Sequence, residues 1–376
     1  MLLATGPPIR EKVVDMRRVA IFLPNLRLGG AERLHVNLAE EWSHSDVSTE
    51  FVLRNATGEL LGLLPASATV VDLQAPRVRN VLWPLIEYFK QSKPDAIIAA
   101  MWPLTVLAPL AARLTGYKGR VIVSEHSPLS IAYSRHGQLH RLALRVSQRL
   151  CYQLADVKVA ASSGIADDLA TLSCLPREQF KVIYNPAALG KVNTRSVCPE
   201  QLIDRPGPII LTVGALKPVK RHDLLIEAFS RLPLSLRATL CILGEGQMRE
   251  QLRRQIDRLG LQDKVLLPGF ALDTGPWYAH SDLFVLSSDY EGFGNVIVEA
   301  MEYGVPIVST DCPVGPREIL EDGKYGRMVP LNDPGALAQA FIATLSEKRD
   351  RSDLKVRARD FSIKTIAQQY LESIFP

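Results

Sequence analysis

The 376-residue chain is short of several things, and each shortage removes a class of protein. Its five cysteines (151, 174, 198, 241 and 312) are scattered, odd in number and form no C-x-x-C pair. That excludes a disulfide frame and a cysteine-built zinc site, and implies reduced thiols in a cytosolic protein. No apolar run approaches the roughly 20 residues needed to span a bilayer. The first residues, MLLATGPPIREKVVDMRR, hold too short an apolar run for a signal peptide and read as a loose tail. The chain therefore reads as cytoplasmic, either soluble or held at a membrane surface. Net charge is only +4, so nothing marks the whole chain as a nucleic-acid binder. There is no D-x-D, P-loop, G-x-S-x-G or H-E-x-x-H, so no motif offers a metal carboxylate pair or a hydrolase nucleophile.

One shortage is local. Between Ala96 and Ala155 the only carboxylate is Glu125, whereas Arg113, Lys118, Arg120, Arg135, Arg141, Arg145 and Arg149 fall in the same span. This is a basic region inside a nearly neutral chain.

What is present is an alternation of short apolar runs with helical patterns. Hydrophobic residues make up 47% of the chain and charged residues 22%, enough to build two cores. RVAIFLPNL, EFVLR, TVVDL, DAIIAA, RVIVSEH, VKVAAS and KVIYNP read as one series of strands. PIILTVGAL, ATLCILGEG, KVLLPGF, LFVLSS and PIVSTD read as a second. Continuous apolar strands alternating with helices imply parallel sheets buried on both faces. The expected fold is α/β, with two Rossmann-like doubly wound domains. The expected division is a tail at 1–17, a first domain at 18–186, a linker at 187–208, a second domain at 209–358 and a C-terminal helix at 359–376. Ligands of open parallel sheets bind beyond the carboxyl ends of the strands, so chemistry is expected in a cleft between the domains.

Four stretches could line such a cleft. PNLRLGGAERL places Gly29 and Gly30 between a strand and a helix start, which suits an anion or simply a tight turn. VSEHSP puts His126 just past a strand, where a histidine is structural or functional. VGALKPVKRHDLLIEAF clusters Lys217, Lys220 and Arg221 before a helix, as a diphosphate site or a solvated loop. In DYEGFGNVIVEAMEYG, Glu291 precedes the turn of Gly292, Phe293 and Gly294. Asn295 is a plausible N-cap, and Glu299 lies one turn into an apolar helix, where it either faces a ligand or shares an outer face with Glu302.

Taken together these stretches resemble the retaining glycosyltransferases of family 4, over nearly the full length. The resemblance rests on GGAERLHVNLA, SEHS, VIYNP, VGALKPVKRHDLLIEAF, ILGEG, LPGF and the block from Ser281 to Leu320. That block carries the family's E-x7-E signature as Glu291 and Glu299. The resemblance implies the GT-B fold, a nucleotide-sugar co-substrate (UDP by frequency in the family), no cofactor and no metal. It implies that Glu299 binds the ribose, that Glu291 faces the transferred sugar and that Lys220 holds the diphosphate. The amides of Gly292, Phe293, Gly294 and Asn295 would contact sugar and phosphate, Gly30 would lie against the phosphate, and His126 would stand near the reaction centre. One departure is Ala215, where the family usually carries an arginine; Lys217 or Arg221 is the candidate substitute. The implied activity is transfer of a hexose or N-acetylhexosamine with retention of configuration.

The acceptor is expected on the first domain. SRHGQLHRLALRVSQRLCYQL sets Arg141, Arg145 and Arg149 four residues apart, with Leu139, Leu142, Val146 and Leu150 as an apolar side. This reads as a helix docked on an anionic membrane surface or as an ordinary amphipathic helix. With the basic region it favours a lipid-linked or anionic glycan acceptor, such as a precursor of lipopolysaccharide or exopolysaccharide. The alternatives are transfer to a soluble small molecule or sugar phosphate, and a nucleotide-sugar-binding protein with weak catalysis.

Overall fold

The computed structural model describes residues 16–347 and 350–376. The expected tail at 1–17 lies outside these except for its last two residues. The first sheet contains β1 (Arg17–Leu23), β2 (Val47–Leu53), β3 (Thr69–Asp72), β4 (Ala96–Ala100), β5 (Arg120–Glu125), β6 (Val157–Ala160) and β7 (Phe180–Val182). Their spatial order is β3-β2-β1-β4-β5-β6-β7, and every pair is parallel. The second contains β8 (Ile209–Val213), β9 (Thr239–Leu243), β10 (Val265–Gly269), β11 (Leu283–Leu286), β12 (Ile307–Thr310) and β13 (Arg327–Val329), in the order β10-β9-β8-β11-β12-β13, again parallel.

The apolar runs form strands because both sheet faces are covered. Along β1, Val19, Ile21 and Leu23 enter one core while Ala20 and Phe22 enter the core on the opposite face. Along β8, Leu211 and Ile210 divide in the same way. In each sheet the order reverses between two adjacent strands, β1 and β4 in the first and β8 and β11 in the second. The crevice at such a reversal is where doubly wound sheets bind ligands.

The two domains are joined by crossings that run side by side. Ala188 donates its amide to Phe361 O at 3.0 Å, and Ile363 donates to Ala188 O at 3.2 Å. Within 187–208, Ala187, Ala188 and Leu202 are buried in the second core, as is Phe361. Residues 359–361 thus stay with the second domain, a little beyond the expected boundary. The C-terminal helix, Ile363–Ile374, then lies on the first domain. Its Ile366, Tyr370 and Ile374 join the core of β1, and Trp42 Nε1 donates to Ala367 O at 3.3 Å. Each such apolar side chain contributes about 1.5–3 kcal/mol when fully buried.

Candidate active site

The loops at the two reversals converge on one cleft. After β1 the chain turns through Gly29 and Gly30 into the helix Gly30–Trp42. After β8 it passes Gly214, Ala215 and Lys217 to Lys220. After β11 it runs through Glu291 and the glycine turn into the helix Asn295–Tyr303. A Cβ on Gly30 would lie 3.7 Å from Asn295 Nδ2. Two helix N-termini, one from each domain, therefore meet across the cleft, where their free amides and dipoles favour an anion.

Gly292 owes its identity to this contact between domains. A Cβ there would lie 1.8 Å from His126 O, so only glycine lets the turn reach the first domain. Its carbonyl accepts from Ser162 Oγ at 3.1 Å. Gly294, at φ +104°, occupies the cap position before the helix, so Asn295 is the first helical residue and not the N-cap expected from sequence. Phe293 turns away from the cleft and packs on Tyr184 and Phe361, with ring centroids 5.4 Å apart in each case. Its side chain anchors the turn.

His126 is enclosed. Its Nδ1 donates to Asn185 Oδ1 at 3.1 Å, and Ser124 Oγ lies 3.1 Å from its Nε2. Ser124 is in turn 2.9 Å from Tyr370 OH of the C-terminal helix. Asn185 Nδ2 donates to Asn295 Oδ1 at 2.9 Å. Burial pushes the His126 ring down to about 4, so it is neutral near pH 7 with both nitrogens engaged. The ring is a pin between the domains, and only its carbonyl oxygen faces the glycine turn.

Lys220 and Glu291 are paired at 2.6 Å, and Ser288 Oγ donates to the same Glu291 oxygen at 2.6 Å. Arg221 points elsewhere. Its backbone is left-handed (φ +48°), and its guanidinium binds Asp223 and Asp289 at 3.2 and 3.1 Å and also Asn332. With those acceptors it is not the free cation that could compensate for Ala215. Lys217 is exposed and faces Glu32 of the first domain.

Glu299 faces a cavity of about 980 Å³ between the domains. Arg33, Gly214, Ala215, Gly244, Phe270 and Tyr278 are among the residues around it. Tyr278 OH donates to Glu299 at 2.9 Å. Burial raises the Glu299 carboxyl above its ordinary range, opposed by that hydrogen bond and by the charge of Arg33. Glu302 also lines the cavity but is held by the amides of Leu189 and Gly190, at 2.9 and 2.8 Å. Glu299 and Glu302 therefore do not share a solvated outer face: one is presented to the cavity and the other fastens the crossing segment.

Sequence reasoning overlooked Asn185, Arg33 and Tyr278. Asn185 ends the run after β7, just before a proline, and Arg33 follows the two glycines by one helical turn. Tyr278 carries no local signal.

Residues 198–361 match the model of the glycosyl transferases group 1, and residues 28–190 match that of glycosyltransferase family 4. An N-acetylgalactosaminyltransferase of Campylobacter jejuni, which acts on a diphospho-undecaprenol-linked sugar, is 30% identical over 267 residues. The match covers 70% of this chain and 72% of that protein.

The chain belongs to glycosyltransferase family 4. The lipopolysaccharide core biosynthesis glycosyltransferase LpsE of Rhizobium meliloti is 28% identical over 361 residues, 92% of this chain and 95% of its own. Among solved structures, Anabaena HepE in complex with UDP superposes with a TM-score of 0.78 at 23% identity, over 96% of this chain and 99% of that one. The facing parallel-sheet domains are the GT-B fold.

The arginine helix of this family 4 glycosyltransferase, Gln138–Cys151, sits on the first domain. Its buried residues are Leu144 and Gln148. Leu139, Leu142, Val146 and Leu150 are 84%, 58%, 47% and 63% exposed, so the apolar side faces outward and not the core. At 100° per residue these four form one stripe, and Arg141, Arg145 and Arg149 run along its edge. Arg145, Val146 and Arg149 also border a second cavity, of about 720 Å³, that reaches Val314 of the second domain. Among the described residues no helix is long and apolar enough to cross a membrane.

Proposed function

We propose that the chain is a retaining, metal-independent glycosyltransferase. It would move a hexose or N-acetylhexosamine from a UDP-sugar to a hydroxyl of a lipid-linked or other cell-surface glycan precursor, at the cytoplasmic face of a membrane. The observation that carries the reading is the convergence of both sheet reversals on one cleft, with two helix N-termini, Lys220 and Glu299 around it. That set suits a nucleoside diphosphate: a carboxylate for ribose hydroxyls, amides and a cation for phosphates. UDP bound to Anabaena HepE supports the choice of base. The lipid-linked and lipopolysaccharide substrates in the relatives' names support the acceptor class, as does the outward apolar stripe edged with arginines.

In this reading the bond between the sugar's anomeric carbon and the diphosphate breaks first. The acceptor oxygen then bonds to that carbon on the same face. The acceptor proton passes to the departing diphosphate oxygen, which explains why the cleft needs no histidine base. The protein's main work is to stabilise the leaving group, through Lys220 and the helix amides.

The test is turnover with a panel of UDP-, GDP- and ADP-sugars and a polyprenyl-diphosphate-linked sugar in EDTA, with the product anomer read by NMR. Release of UDP and an α-linked product from an α-linked donor is expected. An inverted product contradicts the retaining mechanism, and loss of turnover in EDTA contradicts metal independence.

A further inference from the structure

The 980 Å³ cavity is rich in carboxylates. Glu40, Glu245, Asp273, Glu299 and Glu302 all border it, against two cations, Arg33 and Lys191. A nucleoside diphosphate could not settle among those charges without a cation aimed at it. Lys191 is exposed in the crossing segment. Arg33 is half-buried in the first turn of the helix Gly30–Trp42; its backbone amide donates to Gly29 O at 3.0 Å, and among the described residues its guanidinium has no hydrogen-bond or ion-pair partner. The carboxylates nearby are mostly engaged: Arg249 holds Glu245 at 2.7 Å, two amides hold Glu302, and Gly275 N donates to Asp273 at 2.9 Å. A guanidinium carries five donors in a planar fork suited to phosphate oxygens.

We propose that Arg33 is a donor-binding residue, which reaches from the first domain to the diphosphate of a nucleotide bound in the second. The inference rests on the nucleotide-sugar reading above. Glu299, on the opposite wall, is close enough to Arg33 to feel its charge. A ribose held by Glu299 carries its diphosphate one ring away, along the wall of Gly214 and Ala215. Ala215 offers no charge there, so the second cation, beside Lys220, comes from across the cleft. Donor binding then draws the two domains together, which shields the reacting bond from water.

The test is calorimetric binding to the wild-type chain and to Arg33→Gln and Arg33→Lys, with melting temperature as the folding control. UDP, GDP and ADP are tried first, and the tightest is compared with its nucleoside. Arg33→Gln is expected to lose at least about tenfold in diphosphate affinity with nucleoside affinity unchanged, and Arg33→Lys to lose less. Unchanged diphosphate affinity in Arg33→Gln overturns the proposal. An equal loss for diphosphate and nucleoside overturns it too, because Arg33 would then serve only Glu299 and the ribose. If the wild-type chain binds none of the three diphosphates, the nucleotide-sugar reading itself fails and this proposal falls with it.

Discussion

Asn185 Oδ1 lies 3.1 Å from His126 Nδ1. An amide oxygen can only accept, so the imidazole carries its proton on Nδ1 and offers Nε2 to Ser124. The other end of the same amide donates to Asn295 at the start of the E-x7-E helix. Asn185→Ala is expected to cost about 1–3 kcal/mol of stability, since it leaves buried polar groups unpaired. It should also lower kcat more than it weakens UDP binding, because it loosens one domain against the other. A variant with normal kcat and normal stability contradicts the role of the pin.

Lys220→Met leaves Glu291, a largely buried carboxylate, without its cation. The expected loss is about 3–5 kcal/mol, read by denaturant unfolding. The double variant Lys220→Met, Glu291→Gln should recover most of that stability but not activity, because the leaving group still lacks its cation. Removal of a preorganised charge of this kind lowers kcat by roughly 10²–10³. Recovery of turnover in the double variant contradicts the assignment.

Acid should destabilise the fold between about pH 6.5 and 4. Burial holds His126 and His222 at about 4 and His35 at about 3, below the ordinary 6.5. As pH falls, the unfolded chain takes up these protons first, so their contribution is present above 6.5 and is lost on the way down. Glu125 acts in the opposite sense. Burial raises its carboxyl to about 7, so its contribution is lost as pH rises from 4.5 through 7. Glu32, Glu299 and Glu302, whose carboxyls burial also raises, act with Glu125 and offset part of the fall in unfolding free energy that the three histidines impose from pH 7 to pH 5. His35→Phe should make that fall shallower; an unchanged slope contradicts the account.

The helix Gln138–Cys151 should bind anionic vesicles. Phosphatidylglycerol-containing liposomes are expected to carry the wild-type chain in flotation, and neutral liposomes to carry far less. Replacement of Arg141, Arg145 and Arg149 by glutamine should weaken binding roughly a hundredfold, at about 1 kcal/mol per cation. Leu142→Ser with Val146→Ser should weaken it as well. Flotation that survives both changes contradicts membrane docking through this face.

The two-sheet fold was legible because its strands are buried on both faces and so read as unbroken apolar runs, as in Val19–Leu23 and Ala96–Ala100. β13 was missed because Arg327–Val329 is three residues long with one end exposed. The direction of the arginine helix was not legible either. Periodicity reveals an apolar stripe but not whether it faces a core, and here the core takes Leu144 and Gln148 instead. Local pattern also treated Lys220 and Arg221 alike, whereas the left-handed backbone at Arg221 sends neighbouring cations in different directions. Asn185 and His126 are 59 residues apart, so no window along the chain would pair them.

The central claim is that Glu299 and the cleft around it hold a nucleotide sugar. It is tested most directly by calorimetric titration of UDP into the wild-type chain and into Glu299→Ala, in EDTA. Glu299 accepts from Tyr278 and, in this account, from ribose hydroxyls, so its loss should weaken UDP by about tenfold to a hundredfold, the cost of one or two charge-assisted hydrogen bonds. The fold should survive, because Glu299 lines a cavity. Saturable UDP binding that is lost or markedly weakened in Glu299→Ala is the predicted result; equal UDP affinity in the two proteins would contradict it.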